Sequence, residues 1–269
     1  MKDKIDPVEV AKFENETWSR CASGYIEGFG ALVAEAIDSI LAEASVKNGT
    51  FCLDVGTGPG NTAKSASELG ARTIGIDFSD TMLAEARVRN PELEFLNASA
   101  EKLPFADDEF DAVVGNYILH HSGEPEKILS DSFRVLKPGG KAAFTVWSKP
   151  EKLEAFGLFF GAVGEHLGSP DLPHGPLFGI SDFDHFHHLL REAGFTKTSV
   201  RELPTVWKTP SISSYLRAFH DWANLNVVDK EIREKIEETI LKSSGRYQSE
   251  GVYYIPNPSI LLSGTKAIY

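Results

Sequence analysis

The sequence predicts a doubly wound α/β fold. It reads as one sheet of seven strands, mostly parallel, with an antiparallel C-terminal hairpin and helical cap insertions. Three observations predict it. Across residues 51–147 short apolar runs alternate with longer helical patterns. That is the rhythm of right-handed βαβ units, whose strands are covered on both faces and so lack polar alternation. The first strand ends in a glycine-rich loop. Toward the C-terminus the order becomes helix, strand, long insertion, strand, which suits a hairpin added to a parallel sheet.

The elements follow in order. Leu32, Val33, Ala36, Ile37, Ile40, Leu41 and Ala44 recur at three- and four-residue steps and predict one amphipathic helix, ended by Asn48-Gly49. Strands are expected at 51–55, 72–76, 93–96, 110–114 and 142–147, with a helix from about Asn61. Pro125 suits a helix first turn, with Ile128, Leu129, Phe133 and Leu136 on its buried side. Lys137-Pro138-Gly139-Gly140 reads as a tight turn into the fifth strand. Residues 148–180, with four prolines, read as an irregular insertion. A helix follows from Ser181, as N-cap, to Ala193, with Gly194 as its stop. The last elements are a strand at 196–200, helical structure over 211–243 and a strand from Ser259 to Ile268.

At roughly 150 residues per domain, the chain of 269 residues reads as a single domain. Residues 1–30 form an N-terminal lid segment, 31–147 the binding core, and 148–180 and 210–256 cap insertions. The net charge of −12 repels phosphate backbones and argues against a nucleic-acid partner. No apolar run is long enough for a bilayer, and residues 1–16 contain none at all. Cys21 and Cys52 cannot build a disulfide framework, so the expected home is the reducing cytoplasm. His185 and His188 share a helix face without a cysteine or carboxylate cluster beside them, so no metal is expected.

Asp54-Val55-Gly56-Thr57-Gly58-Pro59-Gly60 is the most informative segment. Its glycines allow a sharp turn and close backbone approach to a ligand at the carboxyl end of a strand. A dinucleotide would ask for G-x-G-x-x-G. Here the spacing is G-x-G-x-G, and Asp54 stands where a pyrophosphate would lie. A ligand carrying an ammonium and a sulfonium matches that carboxylate better. Asp77, seventeen residues after Gly60 at the end of the second strand, can grip both hydroxyls of a ribose. Phe78 or Met82 could pack on a purine face. Taken singly, each of these is also an ordinary turn glycine or a helix cap.

At this point LDVGTGPG (53–60), GIDFSDTML (75–83), SAEKLPFADDEFDAVVGNYILHH (99–121) and RVLKPGGKAAFTVW (134–147) resemble the class I S-adenosylmethionine-dependent methyltransferases, type 11, the ubiquinone-biosynthesis-like branch. The likeness covers about residues 25–147 closely and reaches AGF at 193–195. It implies a Rossmann-like sheet and S-adenosyl-L-methionine as cofactor. By position it places Asp54, Gly56, Thr57, Gly58 and Gly60 at the methionine end of the cofactor, Asp77 at the ribose, and Phe78 and Met82 at the adenine. Ser99 stands where family members usually carry an aspartate to the adenine amino group, and Ala100 would present its backbone amide there. Asn116 would lie beside the methionine moiety, and Tyr25 in the lid segment would fold over the cofactor, with Trp18 a further lid candidate.

His120 and His121 directly follow the fourth strand, where the transferable methyl is expected. Histidine has the right ordinary pKa for a general base, although a His-His pair there can also be helix-start packing. The caps carry Phe156, Phe159, Phe160, Phe178, Trp207, Tyr215, Phe219, Trp222, Tyr253 and Tyr254; most of them must form the caps' own core, and a few facing the cleft would suit an apolar or aromatic small substrate. The expected activity is methyl transfer to a small organic metabolite, at oxygen first, with carbon or nitrogen behind, by a monomer or homodimer. The alternative is a methyltransferase-like protein that binds the cofactor but catalyses a non-methylating rearrangement or serves as a binding module.

Overall fold

The strand-forming runs of the first half are apolar on both sides because each strand is roofed on both faces. In a computed structural model of the chain, which describes residues 6–168, 175–177, 180 and 182–268, Cys52 packs into the apolar cluster on one face and Leu53 and Val55 into that on the other. Three helices, α1 (Pro7–Glu27), α2 (Phe29–Ala34) and α3 (Ile37–Glu43), precede β1 (Phe51–Val55). The alternating half then runs α4 (Asn61–Glu68), β2 (Arg72–Asp77), α5 (Asp80–Arg89), β3 (Glu94–Asn97), β4 (Phe110–Gly115), α6 (Pro125–Val135) and β5 (Leu136–Trp147). Beyond it come α7 (Glu154–Leu167), α8 (Phe183–Glu192), β6 (Thr196–Leu203), β7 (Val206–Thr209), α9 (Ile212–Trp222) and α10 (Lys230–Ser244). The chain closes with β8 (Gln248–Ser249), β9 (Val252–Pro256) and β10 (Ser259–Thr265).

The main sheet has seven strands in the order β3-β2-β1-β4-β5-β10-β6. Its strands are parallel except β10, which runs antiparallel to both β5 and β6. The predicted fold class therefore holds. The chain leaves β1 toward β2 on one side and returns to β4 on the other, so a crevice opens at their carboxyl ends. No described helix is long and apolar enough to cross a membrane.

Several elements differ from expectation, each for a physical reason. The single helix expected over 32–44 is two, α2 and α3, broken at Glu35–Ala36 by tighter three-residue turns. The apolar stripe stays buried across the break. Residues 137–140 do not close a turn on themselves. Gly139, at φ +85°, donates to the Lys266 carbonyl at 2.8 Å, and Lys266 donates to the Gly140 carbonyl at 2.9 Å, so the segment is drawn into an irregular start of β5.

The insertion expected to be irregular contains the helix α7, which buries Ala155, Leu158, Phe159, Ala162 and Val163. Its glycines hid it: a methyl group added at Gly157 or Gly161 would meet nothing, so they weaken helix propensity without serving a tight contact. Helical structure over 211–243 divides into α9 and α10 around Asn224, which is left-handed at φ +50°. The expected cap Ser181 lies outside the described residues, and Asp182 caps α8 by accepting the Asp184 amide at 3.0 Å. The last strand stops at Thr265 instead of Ile268. Strands β7, β9 and β8 form a small antiparallel sheet from residues on either side of the helical stretch 211–243, where no strand is expected.

Phe144 on β5 is fully buried beneath this crevice and fills the space that the side chain of Gly115 would need. Phe144→Ala is expected to lower stability by about 3–5 kcal/mol, read from urea unfolding. A loss under about 1 kcal/mol would mean that the neighbouring side chains close the gap, as they rarely do in a filled core.

Candidate active site

Above the carboxyl ends of β1, β2 and β4 lies an open cleft. Its floor is set by backbone geometry. Gly56 takes φ +69°, and a Cβ there would fall 2.7 Å from Ile118, so a side chain at this position would meet both strain and a clash. The turn is braced from the second strand. Asp77 accepts the Gly58 amide on one carboxylate oxygen and the Ser79 amide on the other, both at 2.9 Å. Each oxygen retains a further lone pair, and Asp77 lines the cleft beside Phe78 and Met82. Burial pushes its pKa up, opposed by the Ser79, Gly58 and Phe78 amides and by His121.

Asp54 lies behind the loop, almost fully buried. One of its oxygens accepts the Thr57 hydroxyl at 2.6 Å; the other is buried with no hydrogen-bond partner. Burial raises its pKa to about 7 against the pull of the Thr57 hydroxyl. A carboxylate in this setting is incomplete without a cation or ordered water.

The loop after β4 forms one wall. Tyr117 sits at φ +59° and stacks on Trp147, ring centres 3.8 Å apart. A polar chain holds it there. Asn116 donates to the Val33 carbonyl at 2.9 Å and accepts the Thr145 hydroxyl at 2.7 Å, while that hydroxyl accepts the Tyr117 amide at 3.0 Å. The Tyr117 hydroxyl closes on Ser259.

The two histidines then differ. His120 is 2% exposed, faces the cleft, and neither ring nitrogen has a partner. Burial, with His121 beside it, holds its pKa well below 6.5, so the imidazole is neutral. His121 instead meets Glu14 of α1, Nδ1 to carboxylate oxygen, at 3.0 Å. The same Glu14 oxygen accepts the Trp18 indole N–H at 2.7 Å, and Trp18 sets its edge against the His121 ring.

The far wall is apolar. Phe29 of α2, Phe156 and Phe160 of α7, and Phe219 and Trp222 of α9 face the cleft, with Tyr25 of α1 above. An adjoining side cavity is lined by Ser99, Ala100 and Glu101 and shares Phe78, Ile118 and His121 with the first.

Of the residues singled out in the sequence, Tyr25, Gly56, Gly58, Asp77, Phe78, Met82, Asn116, His120 and His121 converge on the cleft. Ser99 and Ala100 sit in the side cavity. Asp54, Thr57 and Gly60 support the loop from behind; Gly60, at φ +85°, is the N-cap of α4. Glu14, Tyr117 and Trp147 were not foreseen. Trp147 carries a readable signal, because it ends a parallel strand on the ligand-binding edge.

Asp54 makes stability depend on pH. Its folded pKa near 7 exceeds the ordinary 3.8, so the folded chain holds a proton that the unfolded chain has released. The stability it contributes is complete below the lower value and is lost as pH rises to the upper one. Asp54→Asn removes that loss. In urea unfolding the variant should gain on the unaltered protein from about pH 4 to 7, by at most about 1.4 kcal/mol per pH unit, and then level off. A pH-independent difference would show that Asp54 ionises normally.

The chain has known relatives. Residues 53–144 match the family described as methyltransferase domain. The chain is 37% identical over 159 residues to demethylmenaquinone methyltransferase of Renibacterium salmoninarum, covering 59% of this chain and 62% of that protein. It is 34% identical over 155 residues to the ubiquinone/menaquinone biosynthesis C-methyltransferase of Salmonella arizonae, covering 54% and 60%. The matches thus span about three-fifths of these relatives' own length. Among solved structures, phosphoethanolamine N-methyltransferase 2 of Haemonchus contortus aligns with TM-score 0.61 at 20% identity, over 98% of this chain and 61% of that one. The [4+2]-cyclase SpnF aligns at 0.56 and 20%, over 88% and 81%. These two likenesses concern the fold alone. The four sequence motifs, the matched domain and the topology agree: residues 53–144 carry a methyltransferase domain, similar to those of the ubiquinone-biosynthesis-like S-adenosylmethionine-dependent methyltransferases.

Proposed function

We propose that this chain transfers a methyl group to a small, apolar aromatic acceptor that carries an ionisable hydroxyl. One observation carries the reading: His120, neutral and with both nitrogens unpartnered, faces an aromatic-walled cleft beside the residues suited to the cofactor. S-adenosylmethionine, when bound, supplies a methyl carbon already activated by positive sulfur. The residues present fit it. Asp77 has lone pairs left for the ribose hydroxyls, and Phe78 and Met82 offer apolar faces to the adenine. Ser99 and Ala100 in the side cavity would meet the edge of that ring. The orphaned oxygen of Asp54 lies behind the glycine loop for a cationic amine, directly or through water.

His120 is the general base in this reading. It takes the acceptor's hydroxyl proton on a ring nitrogen and leaves an oxyanion conjugated to the ring. Such an anion is nucleophilic at oxygen and at ring carbon alike; attack through carbon is completed when that carbon's hydrogen leaves as a proton and the ring regains its aromaticity and its hydroxyl. The sequence favours oxygen first, but one relative is named a demethylmenaquinone methyltransferase and another a ubiquinone/menaquinone biosynthesis C-methyltransferase, which moves carbon to the front. The aromatic wall excludes water, which keeps the anion reactive and unsolvated. Asn116 donates one amide hydrogen to Val33 and accepts from Thr145, which holds the His120 loop in place and leaves its second amide hydrogen for the methionine moiety of the cofactor.

The test is to incubate the protein with methyl-labelled cofactor and a panel of apolar phenols and reduced quinones, following label and free S-adenosylhomocysteine. Label on a ring carbon is the expected result. Label on oxygen keeps the base and reverses the order of acceptor atoms. Acceptor turnover without label transfer overturns the reading in favour of a non-methylating rearrangement. His120→Gln should lower turnover by about 10²–10⁴-fold with cofactor affinity retained. Because the pKa of His120 is depressed, activity should persist as pH falls through about 6.5 and fail only below it. Asp77→Asn should weaken cofactor binding in calorimetry by about tenfold or more, since hydrogen bonds to a charged group are at stake. Unchanged affinity would show that this carboxylate does not hold the ribose.

A further inference from the structure

Helix α1 roofs both cavities. Ala11, Glu14 and Asn15 line the side cavity; Trp18 and Tyr25 line the cleft. Beneath it, His121 lines both. The Glu14–His121 pair therefore stands over the boundary that a ligand lying in both cavities must cross. Two features make it more than an incidental surface contact. Glu14 is almost fully buried, and its single oxygen serves two donors, one from its own helix and one from the core. The carboxylate is thus held between a donor of its own helix and one of the core, and lifting the helix breaks the bond to the core. The other charged or titratable groups around His121 are His120, whose ring is 4.2 Å away, Asp77, and Glu101, which accepts the hydroxyl of the next residue, Ser122.

The helix is docked at a second point. A Cβ on Gly123 would lie 2.5 Å from the Pro7 Cα, so the start of α1 rests directly on the loop that follows His121. Beside its packing on α9, α5 and α2, α1 therefore touches the stretch 121–123, next to the proposed base, at two points. Closure of α1 is thus tied to the place where chemistry would occur.

We propose that Glu14 is a positioning residue that latches α1 to His121 and so sets the rate at which cofactor and its product leave the cleft. The proposal rests on the reading that S-adenosylmethionine occupies these two cavities. Entry and release both require α1 to lift, and lifting breaks the pair and strips the Glu14 carboxylate of its partner on the core.

The experiment measures S-adenosylhomocysteine release by stopped-flow, using tryptophan fluorescence, to which Trp18 and Trp222 at the cleft contribute. The unaltered protein is compared with Glu14→Ala, His121→Ala, the double variant and Glu14→Gln, with circular dichroism and melting curves run on each. Each alanine variant should release product at least about tenfold faster, and the double variant no faster than either single, because both remove one interaction. Glu14→Gln keeps an acceptor oxygen without the charge and should fall between. Gly123→Ala, which leaves the pair intact and pushes Pro7 away, should also speed release and remains informative if the alanine variants fold poorly. Unchanged release in Glu14→Ala or Gly123→Ala, or additive effects in the double variant, would overturn the latch alone. If the unaltered protein bound no S-adenosylhomocysteine, the cofactor reading would fall and the latch with it.

Discussion

The site is organised around one carboxylate that does two structural jobs before it meets any ligand. Asp77 ends β2 and accepts an amide from each side, Gly58 of the glycine loop and Ser79 at the start of α5. It thereby fixes the spacing between the loop after β1 and the helix after β2. That spacing sets the floor of the cleft. A loop of glycines is conformationally permissive, and the cost of that freedom is entropy; the Asp77 bonds offset it by holding one conformation. Burial works against the charge, and the same amides that define the loop keep it tolerable.

The opposite wall is held by a longer chain of weaker bonds. The carbonyl of Val33 lies at the break between α2 and α3, where the helical ladder is interrupted, and Asn116 takes it up. Thr145, Tyr117 and Ser259 continue the chain across β5 to β10. The left-handed Tyr117 is thus fixed by its neighbours on both sides, as a non-glycine residue at positive φ must be. The strain lies next to His120, the residue that the proposed chemistry uses.

How much of this is legible in the sequence depends on the range of the interactions concerned. The strands are legible because burial on both faces leaves a local trace in each run of residues, as in Phe51–Val55. The glycine loop and Asp77 are legible because their spacing is local too. Glu14 is not: it meets its partner 107 positions along the chain, and nothing in its own neighbourhood marks it. His120 and His121 are identical as letters, and only the three-dimensional surroundings give one free nitrogens and the other a carboxylate. Helix α7 illustrates the converse, since its glycines point to a loop while its buried positions, five of them, follow helical spacing. The small second sheet was missed because β7 and β9 are far apart in sequence and short.

Strand β6 ends at Leu203, which is directly paired with Ser259, the first residue of β10. Everything between those two residues, α9, α10 and the small sheet included, leaves the main sheet and returns to it at neighbouring positions. The sheet itself therefore bears the cost of bringing the ends of this segment together. Its length and content can change without shifting the register of any strand that shapes the glycine loop. The architecture is modular: one part of the cleft wall hangs from a fixed socket in the sheet, while the glycine loop lies on strands outside it.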